Sequence, residues 1–271
     1  MGLRINTNVA ALNTARVLKR STIDLNQTLQ RLSSGLRINR AADDAAGLAI
    51  AEGFRSVVRG AQVSQRNAQD GVSLVQTAEG ALSETTNILQ RIRELAVQAS
   101  NGTQSTNNRI SLNAEVRQLL AQIDDIALDT EFNGLRVLSS SQTVTLQTGA
   151  FTSQTLLVSV AGAKTSDLRV SPVSVSTYVQ AVSAISTVDT ALQSINSLRS
   201  DLGAFQNRLE FTINTLAIQE ENSAASESFI RDADIAQETI RFTRNQILVS
   251  AGTSILAQAN VVPQTALQLL G

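Results

Sequence analysis

The side chains that could do chemistry are few, and their spacing works against it. Carboxylates stand next to each other at Asp43-Asp44 and Asp124-Asp125. An acid–base pair must aim both groups at one point, whereas sequence neighbours on a helix point to different sides. Both pairs therefore read as solvated helix positions. The 271 residues include no histidine and no cysteine. That removes the usual general base, the thiolate nucleophile, the common zinc ligands and any disulfide. The two lysines, Lys19 and Lys164, follow no glycine-rich phosphate loop. Arg31, Arg37, Arg40, Arg55, Arg59 and Arg66 lie among acids and without interleaved aromatics, so they do not read as a nucleic-acid stripe. A formal net charge of −1 supplies no field for nucleic acid or an anionic membrane. No catalytic residue, cofactor or metal is expected.

The elements that would position these residues are helical. Apolar residues make up 42% of the chain and aromatics only 3%, a mix that suits long slender helices packed side by side. In the first helix, Met1 to about Leu36, the residues Leu18, Leu25, Leu29, Leu32 and Leu36 are spaced as an apolar seam, with Ala15 and Thr22 as weak points. Ser33-Ser34-Gly35 loosens this helix, and Gly35→Ala is expected to favour its continuation. Asn39 is the expected cap of the next helix, with Asp43 and Asp44 near its first turn.

That second helix runs from about Asp43 to Ser100, with Ala78, Leu82, Thr85, Leu89, Ile92, Ala96 and Ala99 alternating by four and three. Gly53, Gly60, Gly71 and Gly80 inside it imply close backbone contact or bends. A shorter helix follows, carrying Leu112, Val116, Leu119, Ile123 and Ile126, and folds back antiparallel. Residues 139–175 alternate as two strands, Val144 and Leu146 against Leu156, Val158 and Val160. A third long helix, about Thr177 to Asn222, carries Ile185, Val188, Leu192, Ile195, Leu202, Phe205, Leu209, Ile213 and Leu216. The tail from Ser226 shows two registers. Phe229, Ala233, Ala236, Ile240, Thr243 and Ile247 form one; Leu248, Gly252, Ile255, Ala259 and Val262 form the other.

Several stretches carry a resemblance. LSSGLRINRAADDAAGLAI, LQRIRELAVQASNGT, EFNGLRVL and the tail from Phe229 to Leu270 are similar to the N- and C-terminal regions of bacterial flagellins. The resemblance is strong over residues 1–138 and 200–271 and weak between them, where many flagellins insert large outer domains. It implies a compact flagellin, polymerising with copies of itself into the flagellar filament for motility. The implied helpers are an export chaperone and the junction and cap proteins. A hook–filament junction protein and a secreted coiled-coil effector are the alternatives. The first twenty residues show no signal peptide and no stretch approaches membrane-spanning length. By itself that suggests the cytoplasm; the resemblance implies instead an extracellular flagellar location, reached without a cleaved signal. In a bacterial protein the acceptor-like triplets Asn26-Gln27-Thr28 and Asn101-Gly102-Thr103 are coincidence.

The expected fold is mainly α, an antiparallel bundle of long helices with a small β-hairpin, its N- and C-terminal helices pairing as a coiled coil. Residues 1–43 and 226–271 form the terminal coiled-coil domain, and residues 44–225 the core with its hairpin near 139–175. The seams expected to pack subunits are Leu18, Leu25, Leu29, Leu32 and Leu36 with Ile240, Ile247, Leu248, Ile255 and Val262. The resemblance also implies a contact with Toll-like receptor 5 through Arg91, Leu95 and Glu115. Arg91 and Leu95 are expected on one helix face, with the leucine as an exposed anchor.

Overall fold

The computed structural model of the chain describes residues 7–171 and 173–268, with side chains through Val261. Its elements are α1 (Val9–Ser34), α2 (Ala45–Ala99), α3 (Thr106–Asp129), β1 (Glu131–Phe132), β2 (Leu135–Arg136), β3 (Gln142–Gln147), β4 (Thr155–Val160), α4 (Tyr178–Arg231) and α5 (Ile235–Gln268). They form two compact units, residues 57–221 and residues 1–56 with 222–271. The fold is mainly α, as the periodicity requires.

The first unit, residues 57–221, holds the main apolar core. Along α2 the buried positions run Ala61, Ser64, Ala68, Gly71, Val75, Ala78, Leu82, Thr85, Leu89, Ile92, Ala96 and Ala99. They alternate by three and four without interruption, which keeps one face of a 3.6-residue helix on one line. Thr85 is fully buried and donates its hydroxyl to Ala81 O at 2.9 Å, so it costs little there. α4 answers with Ala181, Ala184, Val188, Ala191, Ile195, Leu202, Leu209 and Leu216, all buried. The two helices run antiparallel: Arg93 meets Asp189 at 2.7 Å, Arg199 meets Glu79 at 3.5 Å, and Gln62 donates to Glu220 at 2.6 Å. Much of the buried face is alanine: Ala68, Ala78, Ala96, Ala99, Ala181, Ala184 and Ala191 all belong to the core. On α3 the fully buried line is Asn113, Val116, Leu120, Ile123 and Ala127. Leu112, Leu119 and Ile126 lie half-buried beside it.

Strands β3 and β4 pair antiparallel, with Val144 opposite Val158 and Leu146 opposite Leu156. Their inward residues Leu156, Val158 and Val160 are buried, as the alternation implies. The hairpin lies so close to α2 that a Cβ at Gly71 would stand 3.3 Å from Leu209 and overlap Leu146. Ala150 leaves equally little room at Gly60, whereas Gly53 and Gly80 meet nothing within 4 Å and have no such packing reason. A second, smaller pair, β1 with β2, turns through Asn133 and Gly134 at φ 51° and 77°. Asn-Gly is the usual solution where both turn residues need positive φ. The irregular return to α4 is held by α3 side chains. Asp124 accepts from Thr165 N at 2.8 Å and from its hydroxyl, and Asn113 Oδ1 accepts from Val175 N at 2.9 Å. Asp124 thus anchors a loop, while its neighbour Asp125 is exposed.

The second unit is built on α1 and α5. The Asn8 side chain caps α1, accepting from Ala11 N at 3.0 Å. Gly35 ends it at φ 71°, its N–H donating to Arg31 O at 2.8 Å. This is a left-handed cap rather than a softened helix, so the expected effect of Gly35→Ala changes sign. The cap of α2 is Asp44, which accepts from Gly47 N at 2.9 Å, and not Asn39. Asp43 instead accepts from the backbone of Arg40 and Asn39, and these bonds hold its carboxyl below the ordinary value of 3.8.

α4 continues to Arg231, and the break before α5 falls at 232–234 rather than near 222–226. Asp234 starts α5 by accepting from Ala236 N at 2.9 Å and Gln237 N at 3.2 Å. The two breaks are bonded to each other: Leu36 bridges Asp232, Arg37 N donates to Arg231 O at 2.7 Å, and Ala233 N donates to Gly35 O at 2.9 Å.

Gly35→Ala forces an L-residue into the left-handed region and should lower stability by about 1 kcal/mol. Thermal unfolding of the purified chain checks this, and a rise in the midpoint would restore the continuous-helix reading.

Candidate assembly surface

α1 and α5 pair antiparallel along a seam that alternates by three and four on both helices. On α1 the inward positions are Ala11, Thr14, Leu18, Ser21, Leu25, Thr28 and Leu32; on α5 they are Glu238, Phe242, Asn245, Val249, Gly252, Leu256 and Ala259. The alignment is set by Asn8 donating to Ala259 O at 2.8 Å, Asn245 to Thr28 Oγ1 at 3.4 Å, and Arg31 to Glu238 at 3.4 Å. Gly252 comes close enough to Leu18 that a Cβ there would stand 3.2 Å from Leu18 Cδ1.

Most apolar seam positions are only half-buried. Full burial of a leucine is worth roughly 1.5–3 kcal/mol, and these obtain less. Ser21, Thr28 and Glu238 are the buried residues of the seam.

The expected seam residues divide. Leu18, Leu25 and Leu32 face α5, and Leu36 lies half-buried beyond α1, at the bridge with Asp232. Leu29 is exposed. Of the registers read along the tail, Gly252 and Ala259 face α1 but the large aliphatics do not: Ile240 is 70% exposed, Ile247 63%, Ile255 55% and Leu248 47%. The Val262 side chain lies outside the described residues. The true inner line of α5 is easy to overlook because Glu238, Asn245 and Gly252 occupy it, while the aliphatics beside it are more conspicuous. Counting any residue at the three–four spacing, whatever its polarity, would have found it. Exposed apolar residues on α1 add to the outer face: Val9, Leu12, Val17 and Ile23 are all more than half exposed. Exposed apolar residues thus occur along both helices of the pair.

The other group of expected contacts sits on the bundle unit. Arg91 Nε and Nη2 donate to Glu115 Oε1 at 3.1 and 3.0 Å, and Nη1 to Glu94 at 3.1 Å. Donation to the Glu115 carboxylate, then to that of Glu94, raises the Arg91 pKa above its ordinary value. Both side chains are about half exposed, at 52% and 43%. Leu95 does not join them. It is 1% exposed and belongs to the core. A four-residue step advances an α-helix by more than a full turn, and on α2 that step carries the leucine onto the edge of the buried line. The exposed-anchor expectation is therefore corrected: the arginine and glutamate are available, the leucine is not.

Among the described residues no three acidic side chains gather to hold a metal ion, and no helix is long and apolar enough to cross a membrane. Of the adjacent carboxylates, Asp43, Asp44 and Asp124 act as caps and loop anchors, and Asp125 is exposed. Arg31 and Arg55 pair with acids, and Arg37 donates to the Ile230 carbonyl.

Paired terminal helices with an apolar outer face mark a mainly α protein of the assembling kind. Known proteins agree. Residues 5–143 match the bacterial flagellin N-terminal helical region, and residues 185–270 the C-terminal helical region. The chain is 44% identical to the flagellar filament 31.3 kDa core protein of Treponema maltophilum, over 98% of this chain and 99% of that one. It is 46% identical to a flagellin of Halalkalibacterium halodurans, again over 98% and 99%. A structure described as a flagellar hook-associated protein of Vibrio parahaemolyticus superposes with a TM-score of 0.58, at 10% identity, over 70% of this chain and 99% of that one, and shares the fold. The chain belongs to the bacterial flagellin family.

The burial difference on α2 has a measurable consequence. Leu95→Ala should cost about 2–5 kcal/mol, as a core truncation does, whereas Arg91→Ala should cost less than about 1 kcal/mol, as exposed ion pairs do. Denaturant unfolding of the two variants checks the order.

Proposed function

We propose that the chain is a structural, non-catalytic subunit that polymerises into the flagellar filament and serves motility mechanically. The observation that carries this reading is the exposed aliphatic face of the α1–α5 pair. Ile240, Ile247, Leu248 and Ile255 lie along one helix, with Leu12 and Ile23 on the other. A soluble monomer rarely leaves so long an apolar surface in water. Covering it by copies related through a rotation and translation that does not close gives a filament. In this reading residues 1–43 and 226–271 are the assembling domain and residues 44–225 the core domain that stiffens it. Leu18, Leu25, Leu32 and Leu36 then act within a subunit, and Leu29 with the exposed isoleucines acts between subunits. Likeness extending over nearly the whole length of filament proteins favours this over a junction protein or an effector.

Electron microscopy of the purified chain tests it, since long filaments are expected and short caps or no polymer would refute it. Ile240→Asp with Ile247→Asp should abolish polymerisation while leaving the stability of the soluble chain within about 0.5 kcal/mol, because both positions are exposed before assembly.

The finer partners follow from this role. A filament subunit reaches the cell exterior through the flagellar export path without a cleaved signal, escorted by a chaperone, and meets junction and cap proteins at the ends of the polymer. Arg91 and Glu115 support a further reading as part of a Toll-like receptor 5 contact. They present a bonded, half-exposed charge pair on neighbouring helices, and an arginine can direct several hydrogen bonds to a partner. Leu95 contributes there only by holding α2 in place. A receptor reporter assay on soluble chain should show signalling that Arg91→Ala and Glu115→Ala weaken. A silent wild-type chain, or variants that signal fully, would remove the receptor and leave the filament reading untouched.

A further inference from the structure

The seam of α1 carries no register of its own. Leu18, Leu25 and Leu32 repeat every seven residues on one line, and Thr14, Ser21 and Thr28 repeat on the other. Sliding α1 by seven residues puts leucine where leucine stood and a hydroxyl where a hydroxyl stood, except at the end of the line where Ala11 takes part. One line of α5 is equally degenerate, with Phe242, Val249 and Leu256 all apolar. The other line is not: Glu238, Asn245, Gly252 and Ala259 pass from charged, through polar, to small.

The side chain of Glu238 is 5% exposed, and its Oε1 accepts from Arg31 at 3.4 Å and from Arg241 at 2.8 Å. Asn245, one layer on, donates to Thr28 at 3.4 Å. The layer is incompletely satisfied, because Glu238 Oε2 and Arg31 Nε have no partner. A buried ion pair left in this state is a poor source of stability, but it discriminates strongly against arrangements that separate its members.

We propose that the Arg31–Glu238 contact, seconded by Thr28–Asn245, is the device that selects one register for the paired terminal helices. A slip of one heptad in either direction removes Arg31 from Glu238 and leaves the carboxylate in the seam with Arg241 alone. It also separates Thr28 from Asn245. The other layers meet residues of the same kind as before except at the Ala11 end, where the Asn8–Ala259 bond is also lost, so the side-chain penalty for a wrong register falls on these two layers and on that end of the seam. The backbone bridge between Leu36 and Asp232 lies outside both helices and opposes the same slip; it survives side-chain substitution, so its influence is what remains when the Arg31–Glu238 layer is replaced.

The test uses introduced cysteines, which pair cleanly because the chain has none. A Cβ at position 252 lies 3.7 Å from Leu18 Cβ, inside the roughly 3.5–4.5 Å range of disulfides. L18C/G252C therefore reports the native register, while L25C/G252C and A11C/G252C report slips of one heptad each way. Cross-links are read on assembled protein, and gel mobility separates those within a chain from those between chains. With the native layer only L18C/G252C should close within a chain. In R31M/E238L at least one slipped pair should close within about tenfold of the native yield, while the thermal midpoint does not fall, the behaviour expected when a polar layer supplies specificity rather than stability.

Native-only cross-linking in R31M/E238L overturns the proposal. If that variant does not assemble, the same pairs are read in E238Q, where native-only cross-linking overturns it equally and a slipped product supports it. The test rests on the filament reading but fails separately from it. A wild-type chain that never assembles defeats the filament, and native-only cross-links in an assembled variant defeat only the register lock.

Discussion

Two helices that meet through leucines, hydroxyls and a glycine gain little by meeting, and the function follows from that weakness. The α1–α5 seam leaves most of its apolar members half in water and buries Ser21, Thr28 and Glu238 in their place. Meanwhile the stronger aliphatics point outward. The pair is thus incomplete as an isolated object, and its largest unrealised gain in free energy lies on the outside. Polymerisation is the process that realises it. The bundle unit has a different allocation: most of its leucines and isoleucines are buried in one core or packed against it, although Ile110, Leu157 and Ile218 remain exposed.

That difference also governs how much could be read from sequence. The α2 seam was legible over its whole second half, because most apolar residues there face inward, Val97 being the exception, and they alternate by three and four. The hairpin was legible from its alternation on both strands, with Val144 and Leu146 between polar neighbours and Val158 and Val160 flanking Ser159, although Leu157 breaks the pattern on the outer face. α5 was not. Its aliphatics at 240, 247, 248 and 255 are more numerous than those on its inner line, so a reading weighted by hydrophobicity selects the face that a second copy would cover. The break between α4 and α5 was misplaced because a run of Ser and Ala at 223–226 looks weaker than Arg231-Asp232-Ala233-Asp234. What decides the break is a pair of aspartates and a backbone bridge to residues nearly 200 positions earlier.

The candidate contacts on the bundle show a similar division. Arg91 and Glu115 could be placed on facing helices from the antiparallel turn alone, and they do bond. The fate of Leu95 depended on which side of α2 the third helix and α4 occupy, and a single helix pattern does not carry that information. Ala96, next to Leu95, is on the seam, and the leucine shares its burial. Likewise Asp44 and Asp43 were recognisable as residues of a helix start, but which of them caps depended on how the chain turns after Gly35.

The alanine lining of the bundle has a mechanical consequence. Where leucines separate two helices, a load across them is taken up partly by side chains changing rotamer. Ala68, Ala78, Ala96, Ala99, Ala181, Ala184 and Ala191 have no rotamers to change. At those positions lateral force passes from backbone to backbone through single methyl groups, whereas Leu82, Leu89, Ile195 and Leu202 carry it elsewhere in the same densely packed interior. The alanine contacts are then the stiff points of the bundle. A rod built from such subunits bends by shifting whole helices against one another, and hardly at all by compressing them.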